Sequence, residues 1–516
     1  MARGLAQSYL RGEAKDLFPS HFGDAGDRRR AVEGAIRPLD PRVADELEAQ
    51  NARFGQSPAR ARNLAALRAG AAAVVTGQQA GLFLGPLYTL YKAASAVRIA
   101  RALEAETGRA VVPVFWLQTE DHDLPEIAAC TIAAPDGRLV ELRIPHDEGR
   151  ISIAHRRLPA EVDALHDLLG DELRDLPHAE EHLSLLRRHY REGARLGDAF
   201  AGVLADLFAD AGLVLVDPRT QALAEAGRPV HLRALQDARA ISAALAARSE
   251  RIRAAGYPLA VHVRDGAPLS FFHPDGAEGP RYRLDADLAE VGGGGRHELA
   301  ELVSILDRDP LRFSTSALLR PLLQDALLPT ACYVGGPGEL AYLAQLPPVY
   351  ELFEREMPLV AHRARFVVVE PRARRLLRRL DLDPADAALA EEVLLERCAR
   401  ERPTLPASLL ETVEAALVEA AAPLGGEMEK ALARTRNTVR VALDRFAARH
   451  AAVCLRRDEA LVENVRRLRR LLHPGAPQER VLGVPHLAAR WGGRAFTERV
   501  IAAAEPFDAS LRELEP

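Results

Sequence analysis

The sequence predicts an α/β fold built on a parallel sheet, with a long helical arm near its C-terminal end. Three observations predict it. The apolar run Ala71–Val75 passes through a glycine-rich turn into a helix and then into a second apolar run, Val111–Leu117. Two buried strands joined by a helix read as a βαβ unit. A third apolar run, Gly212–Val216, ends in Asp217-Pro218-Arg219. From Glu427 to His473 glycine and proline are absent, and apolar residues recur at spacings of three and four.

In chain order, residues 1 to about 70 carry a polar helical pattern with breaks and no motif. The first strand leads into Thr76-Gly77-Gln78-Gln79-Ala80-Gly81, and Gly85-Pro86 marks the expected helix start. Pro113 fits the beginning of the second strand better than its middle. A polar strand pair is expected around Gly137 to Ile153, and two insertions, near 130–200 and 240–310, complete a core spanning 1–375. Residues 221–255 read as helical, and Gly292–Gly295 as a loop. Arg365–Val369 is the last expected strand. A helical connector (376–424), the arm (425–473) and a segment returning to the core (474–516) follow. In the arm, Val439, Leu443, Phe446, His450 and Val453 keep one register and Leu461, Val465, Leu468 and Leu472 another. The slip between them reads as a stutter in a coiled-coil hairpin, the alternative being two ordinary amphipathic helices.

Composition narrows the class. Net charge is −5 over 516 residues, which gives no electrostatic case for nucleic acid. Arginine supplies nearly all positive charge, and lysine occurs only at positions 15, 92 and 430. A chain so rich in alanine and arginine looks biased in base composition, so scattered arginines carry little information. The four cysteines lie far apart with no C-x-x-C pair, and neither a zinc site nor a disulfide framework is expected. Met1-Ala2-Arg3-Gly4 leads into polar sequence without a leader's apolar stretch, and no run matches a membrane span. The reading is a soluble cytoplasmic protein.

Four stretches can carry chemistry. The first is the glycine-rich turn with the helix after it: Thr76, Gly77, Gln78, Gln79, Gly81, Gly85, and Tyr88 and Lys92 four apart on one helix face. A strand, a glycine turn and a helix start can bring backbone N–H groups to an anion. The stretch is neither a Walker A loop nor the dinucleotide fingerprint, and a packing turn is the alternative. The second is Glu120-Asp121-His122-Asp123, at the carboxyl end of a strand, where open α/β sheets bind ligands. It could accept an ammonium group, act as general base through His122, or bind Mg²⁺. Asp123 with Glu126 also reads as a capping box. The third is Asp217 and Arg219, with Asp217 as a helix cap the alternative. The fourth is Gly335-Gly336-Pro337-Gly338-Glu339 with Tyr342 and Gln345, together with the upstream polar pair Gln324-Asp325.

Taken together these stretches resemble the bacillithiol biosynthesis cysteine-adding enzymes. The resemblance rests on Thr76 to Tyr88, on Pro113-Val114-Phe115-Trp116 running into Glu120 to Asp123, on Arg320-Pro321 to Asp325 with Leu328-Pro329-Thr330 and Gly335 to Tyr342, and on Pro477-Gln478-Glu479-Arg480. It implies a Rossmann-like core related to nucleotidylyl transferases, and an antiparallel coiled coil that makes a homodimer. The implied reaction is amide formation between L-cysteine and glucosaminyl-malate. A carboxylate is a poor electrophile, so the reaction implies an activating donor, ATP with Mg²⁺. On this reading the Gly81–Gly85 turn and Lys92 would hold phosphate, and His122, Asp123, Glu120 and Asp121 would be catalytic. The remaining residues named above, Gly336, Gly338, Glu339 and Tyr342 among them, would contact substrate or nucleotide, with Arg219 on the malate carboxylates. Two other readings stay open: a nucleotidylyltransferase acting on another metabolite, and a coiled-coil scaffold that only binds one.

Overall fold

The computed structural model describes residues 4–135, 137–147, 149–399 and 406–515. Residues 1–3, part of the N-terminal stretch read above, and 400–405, within the expected connector, lie outside the described residues. The chain forms two compact units. One runs to Phe366 and resumes from Glu479 to Leu514; the other is Val367–Gln478.

The first unit is organised by five strands: β1 (Ala72–Gln78), β2 (Val111–Leu117), β5 (Val214–Val216), β9 (Thr330–Gly335) and β10 (Leu359–His362). Two smaller antiparallel sheets take the intervening numbers. One is β3 (Ala129–Ala133) with β4 (Leu139–Arg143); the other is β6 (Ser270–Phe272), β7 (Tyr282–Arg283) and β8 (Phe313–Thr315). The large sheet has the order β10-β9-β1-β2-β5, and every pairing in it is parallel. Counted along the chain, this is the doubly wound order in which the sheet grows one way from β1 and then the other. The crevice between the carboxyl ends of β1 and β9 is therefore the topological switch point, where such sheets take ligands. The strands read as continuous apolar runs because both faces are covered; Val74, Val75, Val114, Phe115 and Val334 are fully buried.

Three local expectations need correction. Pro113 lies inside β2, opposite Val74. The Ala72 N–H donates to the Ala110 carbonyl and the Gln118 N–H to the Gln78 carbonyl, so the even-numbered N–H groups of β2 serve β1. The imino side of Pro113 faces the other edge, where β5 begins only opposite Val114. No ladder bond is lost. The polar strand pair is β3–β4, earlier than expected, and Gly137 sits in its turn at φ +88°. The helix after the glycine turn begins at Tyr88, two residues beyond Pro86, because a short 3₁₀ turn, Leu82–Leu84, comes first.

In the second unit, helices Pro371–Leu380, Glu391–Cys398 and Glu459–Leu472 share a core that includes Leu377, Leu394, Val465 and Leu468. The slip in the arm's apolar stripe is a helix break at Asp458, whose side chain accepts from the Leu461 N–H at 3.0 Å. The long helix Glu429–Arg457 packs along Ala407–Ala421, tied by Arg436 and Arg440 to Glu414. The hairpin limbs thus come from 407–457 instead of 425–473. On the long helix Phe446 and Val453, seven apart, are exposed.

Candidate active site

Side chains from the carboxyl ends of β1, β2, β9 and β10, and from the β6–β8 sheet, line one cleft of about 600 Å³. At its switch-point end Lys92 is buried. It donates to the Gly77 carbonyl at 2.8 Å and to Gln78 Oε1 at 3.0 Å, and it forms an ion pair with Glu339. Burial pushes the Glu339 carboxyl up, but Lys92, with the Tyr333 hydroxyl and the Gly336 N–H, holds it below the usual range. Glu339 also accepts from the Gly336 N–H (2.8 Å) and the Tyr333 hydroxyl (2.6 Å). Arg320 is buried, and no carboxylate among the described residues lies within 4 Å of it. Its guanidinium donates to Gln324 Oε1 (2.9 Å), Tyr333 Oη (3.2 Å) and Tyr342 Oη (2.7 Å). Gln324 passes the chain to Asp325, which also accepts from Tyr350. Gln324 and Asp325 lie beneath the cleft; Gln78, Tyr88, Lys92, Gly336, Gly338, Glu339 and Tyr342 line it.

At the β2 end, Glu120 accepts from the backbone N–H (3.3 Å) and the hydroxyl of Thr315. Asp121 accepts from Gln79 Nε2 (2.7 Å), the His122 N–H (2.7 Å) and Arg281 Nη2 (3.1 Å). Arg281 Nε donates to His122 Nδ1 at 2.9 Å, which leaves the ring proton on Nε2. Burial, and then the Arg281 charge, lower the His122 pKa, so the ring is neutral at pH 7. Glu120, Asp121 and His122 line the cleft; Asp123 is exposed and stands outside it. The capping box is not made: Asp123 forms no side-chain cap, and Glu126 accepts from Gln79 at 3.2 Å.

The glycine turn stands apart from the cleft. Gly85 has φ +62° and ψ −149°, open to glycine alone, and Phe83 and Leu84 also have positive φ. Tyr190 clamps this conformation, donating to the Gly81 carbonyl at 2.7 Å and accepting the Leu84 N–H at 3.1 Å. The Gly85 N–H goes to Leu82, and the Leu87 N–H goes to Leu482. These N–H groups are committed within the protein, and the turn is a packing device. Gly77 serves packing too, since a Cβ there would come within 2.8 Å of the Trp116 carbonyl. Thr76 bonds the Val334 carbonyl at 2.8 Å, tying β1 to β9.

Asp217 and Arg219 also lie outside the cleft. Asp217 accepts from the Thr119 hydroxyl, and the N-cap position of the following helix is Thr220, which makes no side-chain cap, so Asp217 is not its cap. Arg219 is buried, with its guanidinium on the carbonyls of Phe313 (3.0 Å) and Ala277 (2.9 Å). What the sequence reading missed is the set of arginines that do line the cleft: Arg264, Arg281, Arg283, Arg320, Arg363 and Arg480. Arg363 and Glu479 form a buried bidentate pair at 2.8 and 2.7 Å, with Arg363 over the Tyr88 ring at 5.6 Å. Two signals pointed to this set, Arg320-Pro321 and Glu479-Arg480, but arginine abundance hid the rest. Among the described residues, no group of three or more His, Cys, Asp or Glu is placed to hold a metal ion, and no helix is long and apolar enough to cross a membrane.

A doubly wound sheet with a charged cleft over its switch point defines a Rossmann-like α/β protein that takes small polar ligands. Residues 3–364 match the family model described as bacillithiol biosynthesis BshC, N-terminal Rossmann-like domain. The chain belongs to the BshC family. It is 35% identical over 473 residues to a relative from Koribacter versatilis, covering 87% of this chain and 85% of that one. It is 32% identical over 548 residues to one from Heliobacterium modesticaldum, covering 98% and 97%. Both bear the provisional name cysteine ligase BshC.

Proposed function

We propose that the protein is an enzyme that joins the carboxyl of L-cysteine to the amine of glucosaminyl-malate, closing an amide in bacillithiol biosynthesis. The observation that carries this reading is the polarity of the cleft. Glu120 and Asp121 lie at the β2 end, suited to ammonium and amine groups. Arg320, Arg363 and Arg480 gather at the switch-point end, suited to carboxylate and phosphate. Family membership and the names of the relatives support it. Glu120 orients the amines and Asp121 receives the proton released when the sugar amine attacks. His122 does not serve as the base expected from the sequence, because Arg281 takes its one lone pair at Nδ1 and its Nε2–H can only donate.

The activating donor in this reading is ATP with Mg²⁺. The Gly81–Gly85 turn does not fit a phosphate chain in this cleft, because it does not line it and Tyr190 and Leu82 take its Leu84 and Gly85 donors. The switch-point end does fit one: among the described residues Arg320 and Arg480 have no carboxylate within 4 Å, and Tyr88 and Arg363 line the cleft with them. When bound, ATP supplies the activation that makes a carboxylate an electrophile. Mg²⁺ that travels with phosphates needs only one or two protein carboxylates, and exposed Glu126 suits that role. The four cysteines are all unpaired, which supports a reducing compartment, the cytoplasm. We also assign the exposed Phe446 and Val453 face to a homodimer contact through the long helix. Light scattering at twice the chain mass supports that contact, and a mass of 56.2 kDa sinks it.

The test of function is incubation with cysteine, glucosaminyl-malate and MgATP, followed by mass spectrometry. The expected product is lighter than the two substrates together by one water. Asp121→Asn is expected to lower turnover about 100-fold with the fold intact. Substrates recovered unchanged from the folded protein, with MgATP present, refute the ligase reading.

A further inference from the structure

We propose that Arg264 and Arg283 form the carboxylate-reading pair of the cleft and select an amino sugar that carries a dicarboxylate. This rests on the ligase reading and names the residues that choose its acceptor. The argument begins with strand geometry. Arg281 and Arg283 are two apart, so they share one face of the β6–β7 hairpin. Arg283 pairs in register with Phe271, and both guanidiniums lie over that ring, Arg281 at 4.3 Å and Arg283 at 5.6 Å. Arg281 is committed to Asp121 and His122. Arg283 has no carboxylate within 4 Å among the described residues.

Arg264 reaches the same cleft from an independent segment. Gln345 accepts from the Val261 N–H at 3.1 Å and donates to the Val261 carbonyl at 3.0 Å, pinning this stretch. Leu259, Val261 and Val263 pack against the core, while exposed His262 and Arg264 alternate with them. His262 and Arg264 line the cleft, and Arg264 also lacks a carboxylate partner among the described residues. The two arginines feel each other. Burial lowers the Arg283 pKa first, and the charges of Arg264 and Arg150 lower it further. Like charges gathered at a cleft without a counter-ion favour an anionic ligand group, and guanidinium forks match carboxylates in shape.

The remaining cleft cations are accounted for elsewhere. Lys92 is paired with Glu339 and Arg363 with Glu479. Arg320 is bonded to phenols and an amide. Arg480 follows Glu479 at the switch-point end. The pair Arg264 and Arg283 is thus left for the acceptor's two carboxylates.

Calorimetry with glucosaminyl-malate and with methyl glucosaminide tests this on the full chain, comparing wild type, Arg264→Gln, Arg283→Gln and the double variant. Each single change is expected to weaken glucosaminyl-malate about tenfold and the double about 100-fold. Methyl glucosaminide should change less than about twofold, as should the KM for cysteine. Glucosaminyl-malate binding unchanged in the double variant overturns the pair, whatever the reaction. An equal loss for both sugars also overturns it, since the arginines then do not read the carboxylates. Failure of wild type to bind glucosaminyl-malate overturns it as well. Tight, arginine-dependent binding without amide product leaves the pair standing and rejects the ligase reading alone.

Discussion

Glu479→Ala is expected to destabilise the first unit by about 3–5 kcal/mol, among the largest losses a single side chain here can cause. Glu479 and Arg363 are both nearly buried, with side chains 6% and 5% exposed. Their two parallel hydrogen bonds satisfy the guanidinium on one edge, and the Ala364 carbonyl takes a third at 3.0 Å. Removing the carboxylate leaves a positive charge buried with no counter-charge, and that penalty exceeds the value of the pair itself. Arg363→Met in the Glu479→Ala background is therefore expected to recover much of the loss. Urea unfolding followed by tryptophan fluorescence measures it, since Trp116 and Trp491 both lie in the first unit. A single variant within about 1 kcal/mol of wild type shows that the pair carries no such weight. A double variant no more stable than the single shows that the stranded charge is not the cause.

The second large effect is acid unfolding well above the carboxylate range. Burial lowers five histidines of the first unit to about 4 (His182, His362) and about 3 (His231, His273, His486). In the unfolded chain each titrates near 6.5. A folded pKa below the unfolded one means that the unfolded state binds more protons between the two values. The stability each group contributes is thus complete above about pH 6.5 and is lost as pH falls toward the folded pKa, at ~1.4 kcal/mol per pH unit. Asp217 and Asp325, pushed up by burial, act in the opposite sense below their own folded pKa. A slope of several kcal/mol per pH unit, up to about 7 for the five histidines together, would consume a stability of ordinary size within two or three units below 6.5. Urea midpoints at half-unit steps from pH 7.5 to 4.5 check this. A flat profile between 7 and 5 refutes it.

The sheet was legible because its strands are apolar on both faces and end in polar residues. That pattern survives without knowledge of neighbours. The β2 end was legible for the same reason: Glu120, Asp121 and His122 have no packing excuse at a strand terminus. What sequence could not show is which polar groups partner one another. Gln79 looked like part of an anion turn, yet its amide reaches Asp121 and Glu126. Lys92 looked free for phosphate, yet it pairs with Glu339 from a segment nearly 250 positions away. Arg219 looked like a ligand for carboxylates, yet carbonyls occupy it. The arginines of the β6–β8 sheet were invisible because a hairpin register decides their face, and frequent arginine made each one unremarkable on its own. The arm's slip was legible as a break, but not the helix that pairs with its longer limb, because apolar spacing in one helix does not name its partner.

The Tyr190 clamp on the glycine turn bears on how this family can diverge. A phosphate loop recognises its ligand through main-chain donors, and its preference is written into backbone conformation that single substitutions rarely alter. Here the turn lies outside the cleft, and its Leu84, Gly85 and Leu87 N–H groups are taken by a tyrosine hydroxyl and neighbouring carbonyls. Recognition falls to individual side chains projecting from several separate segments. Such a surface can drift toward new acceptors one codon at a time while the scaffold beneath it is inherited unchanged.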